Sequence, residues 1–192
     1  MQNHVSMLFE RSASSYASAA DSLSESIVTA AEWMTSSLLS EQKLMSCGAG
    51  ASNSLSQYFC YTLLNNLERE RPALPAINLS NESALSGISE KADSNELYSS
   101  QIQALGQAGD TLLVIANSEQ TIALHQAIHT AEQRGMKTVL LNCNQEPWWD
   151  IAPDSNRLEI FMQTESPAVT QQLHLTAIQV LCELIEIQLF GE

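Results

Sequence analysis

Residues 47–60 read CGAGASNSLSQYFC. The order is a strand end, a glycine turn and a helix start. In open α/β sheets ligands bind beyond the carboxyl ends of the strands, where backbone N–H groups of such a turn and of a helix N-terminus face an anion. Gly48, Ala49, Gly50, Ala51 and Ser52 occupy that position. The stretch has no lysine, histidine or carboxylate, so it offers a phosphate no charged donor. Turns of this kind also serve simply to join a strand tightly to a helix.

Working outward, short apolar runs at Lys43–Cys47, Pro75–Leu79, Thr111–Ala116, Lys137–Leu141 and Leu158–Met162 are each followed by a segment able to be helical, such as Ser52–Leu67 or Gln120–Arg134. This alternation predicts a parallel sheet between helices. The run Leu112 to Ala116 is apolar on both faces, as a central parallel strand must be. Gly109-Asp110 and Arg134-Gly135 are the matching turn signals.

The segment from Met1 to Leu39 is rich in alanine and serine and contains neither proline nor glycine. Tyr16, Ala20, Leu23, Ile27, Ala30 and Met34 fall on one seam of a long helix. Such a seam packs either on another helix of an oligomer or on its own domain. In the last helix Leu173, Ala177, Val180, Leu184 and Ile187 make one stripe, and Leu175, Ile178, Cys182, Ile185 and Leu189 a second. Two stripes predict one face on the sheet and the other on a neighbouring subunit.

A chain of 192 residues buries one sizeable core, and positions 1–192 are expected to form a single domain with 1–39 used in oligomer packing. The net charge of −14 argues against direct nucleic-acid binding. Cys47, Cys60, Cys143 and Cys182 form no CxxC pair, which suits a reducing cytoplasm. No basic, apolar leader opens the sequence and no run reaches the roughly 20 apolar residues of a membrane span. A cytoplasmic protein is expected.

CGxGxS at 47–52, ERPALPAINL at 70–79, GDTLLVI at 109–115, RGMKTVLL at 134–141 and QQLHLTAIQVLCELIE at 171–186 resemble, in order, the sugar isomerase (SIS) domain family. Within it the chain is similar to the phosphoheptose isomerase group, and most to its branch that associates with the replication initiator DnaA. The resemblance implies a flavodoxin-like, three-layer α/β fold with a five-stranded parallel sheet. It also implies a homotetramer whose sugar-phosphate sites lie near subunit interfaces.

Active isomerases carry a histidine where this sequence has Tyr58, a glutamate where it has Thr62 and a second histidine where it has Gln179. Moving a proton beside a carbonyl needs a base in reach, and neither threonine nor glutamine supplies one. Relatives resemble GDxLLxISTSGNS where residues 109–121 read GDTLLVIANSEQT, so Ala116 removes a hydroxyl and Glu119 adds a negative charge. Ser52, Asn53 and Thr121 remain as a remnant phosphate site, expected to hold a sugar phosphate weakly or not at all. The expectation is therefore a protein with no catalytic residues, cofactor or metal: a SIS-fold scaffold that binds DnaA and promotes its assembly at the chromosomal origin. The alternatives are a phosphoheptose isomerase, converting sedoheptulose 7-phosphate to D-glycero-D-manno-heptose 7-phosphate, and a sugar-phosphate-binding regulator.

The apolar pair Leu189-Phe190 ends the last helix and is the expected partner-binding residue pair, since in the initiator-associating relative the matching pair lies on the partner-binding face. His125 and His129 stand four apart on a helix without a third metal ligand and read as solvent-facing. Gln171 and His174 match polar residues of the isomerases, with a structural role expected for His174. Cys47 and Cys182 read as small apolar fillers. Trp148 and Trp149 are either interface anchors or a lid.

Overall fold

The computed structural model describes residues 1–65, 70–80, 94–116, 121–143, 156–162, 164 and 166–191. Five strands, β1 (Leu44–Gly48), β2 (Ala76–Asn78), β3 (Thr111–Ile115), β4 (Lys137–Asn142) and β5 (Arg157–Phe161), lie where the apolar runs predict them. They form one parallel sheet in the order β2-β1-β3-β4-β5. The helices are α1 (Gln2–Leu39), α2 (Ser52–Leu64), α3 (Ser99–Leu105), α4 (Ile122–Gln133) and α5 (Pro167–Phe190).

The two-residue period of a strand sorts the sheet into two cores. Leu44, Leu113, Ile115, Val139, Leu141 and Ile160 face α1, α2 and α5, where they meet Leu23, Met34, Phe59, Leu63, Ile178 and Leu181. Met45, Cys47, Leu112, Val114 and Leu140 face α3 and α4, meeting Ile102, Leu124, Ala127, Ile128 and Ala131. The result is the three-layer sandwich that the alternation predicts. Strand order reverses between β1 and β3, and the helices that follow those two strands, α2 and α4, pack on opposite faces of the sheet.

Asp110 anchors the entry to β3. It is fully buried, accepts from the Lys43 backbone N–H at 3.0 Å and the Gln107 N–H at 2.7 Å, and pairs with Lys43 Nζ at 2.6 Å. The neighbouring Gly109 has φ +92°, a conformation that costs glycine least.

The long helix α1 begins and ends where the sequence predicts, and it is the longest element of the chain. Of its seam Leu23, Ala30 and Met34 are buried, Tyr16 and Ile27 pack in part, and Ala20 is exposed. Its start, from Met1 to Glu10, is exposed throughout, Phe9 at 75%.

In α5 the stripe Ile178, Cys182 and Ile185 is buried in the core. The other stripe lines, with α1, an apolar groove of about 370 Å³ that includes Tyr16, Ile27, Val180 and Leu184. By length and composition α5 alone among the described helices could cross a membrane, with a mean hydropathy of 1.4 over an 18-residue window. Leu173, Ala177, Ile178, Leu181, Cys182 and Ile185 are buried in the core shared with α1, α2 and the sheet, which accounts for part of that apolarity.

Candidate active site

The turn after β1 is held by its own geometry. A Cβ on Gly48 would stand 2.6 Å from the Ser52 carbonyl oxygen and 2.8 Å from its carbon, so only glycine fits, and Gly50 takes φ +57°. The Tyr98 hydroxyl donates to the Gly48 carbonyl at 2.9 Å, and burial raises its pKa, keeping it a neutral donor. Ser52, in the first turn of α2, is fully buried and its Oγ has no hydrogen-bond partner among the described residues. Asn53 is half-buried, its Oδ1 accepting from Gln57 Nε2 at 3.4 Å. Thr121 caps α4, its Oγ1 accepting from the Leu124 N–H at 3.4 Å. Ala116 is fully buried, and Glu119 lies outside the described residues.

Beside this turn, at the carboxyl ends of β1, β4 and β5, is a cavity of about 370 Å³ lined by Ala51, Cys143, Thr164, Thr170 and Gln171. His174, one turn further along α5, is fully buried with neither ring nitrogen hydrogen-bonded among the described residues. Desolvation lowers its pKa to about 4, so it is a neutral imidazole at pH 7.

The three positions where the resemblance places reactive groups do converge. Tyr58, Thr62 and Gln179 line one cavity of about 350 Å³ between α2 and α5. Gln179 Nε2 donates to the Tyr58 hydroxyl at 3.3 Å, and the Thr62 hydroxyl is turned back onto the Tyr58 carbonyl at 3.0 Å. The cavity also holds two carboxylates that those three positions do not reveal, Glu183 and Glu186. Their signal in the sequence is spacing: Glu183 follows Gln179 by one helical turn, which places both on one face of a helix. Glu186 is taken up by Arg71, whose Nε lies 2.7 Å from it and whose Nη atoms donate to the Leu63 and Thr62 carbonyls at 2.9 and 2.8 Å.

Other candidates separate from these cavities. His129 lies on the exposed face of α4 with its Nε2 2.9 Å from Gln133 Nε2, whereas His125 is half-buried rather than solvent-facing. No metal-binding cluster of three His, Cys, Asp or Glu is present among the described residues. Burial raises the thiol pKa of Cys47, and that of Cys182 to about 12, so neither forms a nucleophilic thiolate. Leu189 packs in part against the core while Phe190 is 37% exposed. Trp148 and Trp149 lie outside the described residues.

The chain matches the SIS domain family model over residues 8–142. It is 42% identical over 166 residues to a phosphoheptose isomerase of Chromohalobacter salexigens, covering 86% of this chain and 84% of that one. It is 36% identical over 194 residues to the enzyme so named from Halorhodospira halophila, covering 100% and 98%. Among solved structures, the phosphoheptose isomerase from Francisella tularensis superposes with a TM-score of 0.86 at 27% identity, covering 96% of this chain and 97% of that one.

These relatives overturn two expectations. A non-catalytic scaffold for DnaA is not what they point to; relatives similar along nearly the whole chain are named as isomerases. The expected lack of enzymatic activity is corrected with it, and for a physical reason as well. Replacement of the histidines and glutamate of the family pattern by Tyr58, Gln179 and Thr62 does not empty the cavity of carboxylates, because Glu183 and Glu186 line it too. By its motifs, its sheet order and its relatives together, the chain belongs to the SIS domain family, in the phosphoheptose isomerase group.

Proposed function

We propose that the protein is an aldose–ketose isomerase acting on a sugar phosphate, with sedoheptulose 7-phosphate and D-glycero-D-manno-heptose 7-phosphate as its reactant pair. The observation that carries this reading is the convergence of Tyr58, Thr62 and Gln179 with two carboxylates in one cavity, in a chain whose relatives are named phosphoheptose isomerase. The size of that cavity, about 350 Å³, falls within the roughly 300–1,000 Å³ of small-ligand sites.

The phosphate anchor in this reading is the turn at Gly48–Ser52. A net charge of −14 repels an anionic substrate at long range, so binding must come from short-range donors: the Ser52 and Asn53 N–H groups are taken by the Ala49 and Gly50 carbonyls at 3.1 Å, which leaves the unpartnered Ser52 hydroxyl and the side chains of Asn53 and Thr121. The protein acts as a homo-oligomer, with the apolar groove between α1 and α5 covered by another copy. Support comes from the seam of α1 and the outer stripe of α5, which together leave that groove open in the single chain.

The test is an NMR assay of the purified protein with sedoheptulose 7-phosphate. Appearance of the aldose phosphate, at a rate proportional to protein, is expected. A protein that turns over no ketose phosphate, checked on shorter sugars as well, sinks the proposal.

A further inference from the structure

The isomerisation needs a base at the substrate carbon, and none of the three positions from the family pattern holds one. We infer that Glu183 is that base, displaced by one helical turn from the position of Gln179. This rests on the isomerase reading above.

Three observations select it. Glu183 lines the same cavity as Tyr58, Thr62 and Gln179. It stands one turn beyond Gln179 on α5. Gln179 is tied to the Tyr58 hydroxyl at 3.3 Å, so a carboxylate and a phenol border the same space. The other carboxylate there is committed. Glu186 has a side chain 14% exposed and pairs with Arg71, itself 1% exposed and fixed by the Leu63, Pro72 and Thr62 carbonyls. Removing Glu186 from that pair would leave a buried guanidinium without its counter-charge. Glu183, by contrast, is exposed and makes no ion pair among the described residues.

The proton inventory closes with these groups. The Glu183 carboxylate takes a proton from C1 of the ketose; the C–H electron pair becomes the C1–C2 double bond, and the C2 carbonyl oxygen takes a proton from the Tyr58 hydroxyl. The enediol then receives the proton from the Glu183 carboxylic acid at C2, while the C1 hydroxyl returns its proton to the Tyr58 oxygen and the C1 carbonyl forms. Both side chains end as they began. Gln179, as donor to the Tyr58 oxygen, steadies the phenolate that exists between the two halves.

Glu183→Gln keeps size and polarity at an exposed position, so folding is retained and is checked by circular dichroism. With the wild-type protein and sedoheptulose 7-phosphate in deuterium oxide, the expected results are exchange of a C1 proton for deuterium and net isomerisation. The Gln variant is expected to lose both by at least about a hundredfold, the contribution typical of a positioned base. Glu183→Asp is expected to recover part of the exchange. A Gln variant that exchanges and isomerises at the wild-type rate overturns the assignment and leaves the isomerase reading standing. A wild-type protein that neither exchanges nor isomerises the sugar overturns both.

Discussion

Gln179 on α5 and Tyr58 on α2 are joined by a 3.3 Å hydrogen bond, so the two helices that border the carboxylate-bearing cavity are linked by the very residues that replace two histidines of the family pattern. The pair makes the phenol an oriented acid. Tyr58→Phe is expected to lower kcat about a hundredfold with KM changed by less than about threefold, as for loss of a general acid. Steady-state kinetics decide it, and an unchanged kcat removes the hydroxyl from the mechanism.

Ser52 carries a buried hydroxyl with no partner among the described residues, in the first turn of α2. A hydrogen bond to a charged group contributes roughly 1.5–3 kcal/mol, so Ser52→Ala is expected to weaken sugar-phosphate binding about tenfold to a hundredfold. Thermal stability should change little, since the hydroxyl holds no described group in the free protein. Calorimetric titration of a sugar phosphate into both proteins is the measurement; equal affinities exclude this oxygen as a phosphate ligand.

His174 makes stability depend on pH. Its folded pKa is lowered by burial from 6.5 to about 4, so between those values the unfolded chain holds a proton that the native chain does not. The contribution of this group is therefore fully present above pH 6.5, falls away as pH drops from 6.5 to about 4, and changes no further below that. The depression corresponds to roughly 3 kcal/mol. Urea unfolding at pH 7.5 and pH 4.5 should show a smaller difference in His174→Gln than in the wild type. Equal differences would show that the imidazole does not govern acid sensitivity.

Asp110 is the buried hub at the edge of the Gly109 turn, and its loss strands Lys43 and the N–H of Gln107. Breaking a buried pair costs about 3–5 kcal/mol. Lys43 is one-fifth exposed, so the lower end applies to Asp110→Ala. Asp110→Asn, which keeps an acceptor, should cost less. Denaturant midpoints of the two variants test the order.

The strands were legible because each is a short apolar run and the central one, Leu112 to Ala116, is apolar on both faces. Long helices were legible for the same reason of period, α1 from its seam and α5 from its stripes. The short helix α3 was not, since it buries one side chain, Ile102, too few for any period to appear. At the site, the convergence of Tyr58, Thr62 and Gln179 was legible only through the family pattern. Glu183 was invisible to that comparison, because a match position by position cannot register a group moved along a helix by one turn. The crowding at Gly48 was hidden too, since Ser52 approaches it only once α2 has turned back on β1.

The first helix of the chain finds its partners in the last. Leu23, Ala30 and Met34 share a core with Leu173, Ala177 and Leu181. A ribosome adding about 5–20 residues per second leaves α1 waiting roughly seven to thirty seconds for α5 to be made. Throughout that interval its seam lacks the α5 part of the surface that finally covers it. The abundance of alanine and serine between Met1 and Leu39 keeps that seam narrow, which limits the apolar surface the nascent chain shows before its closing segment emerges.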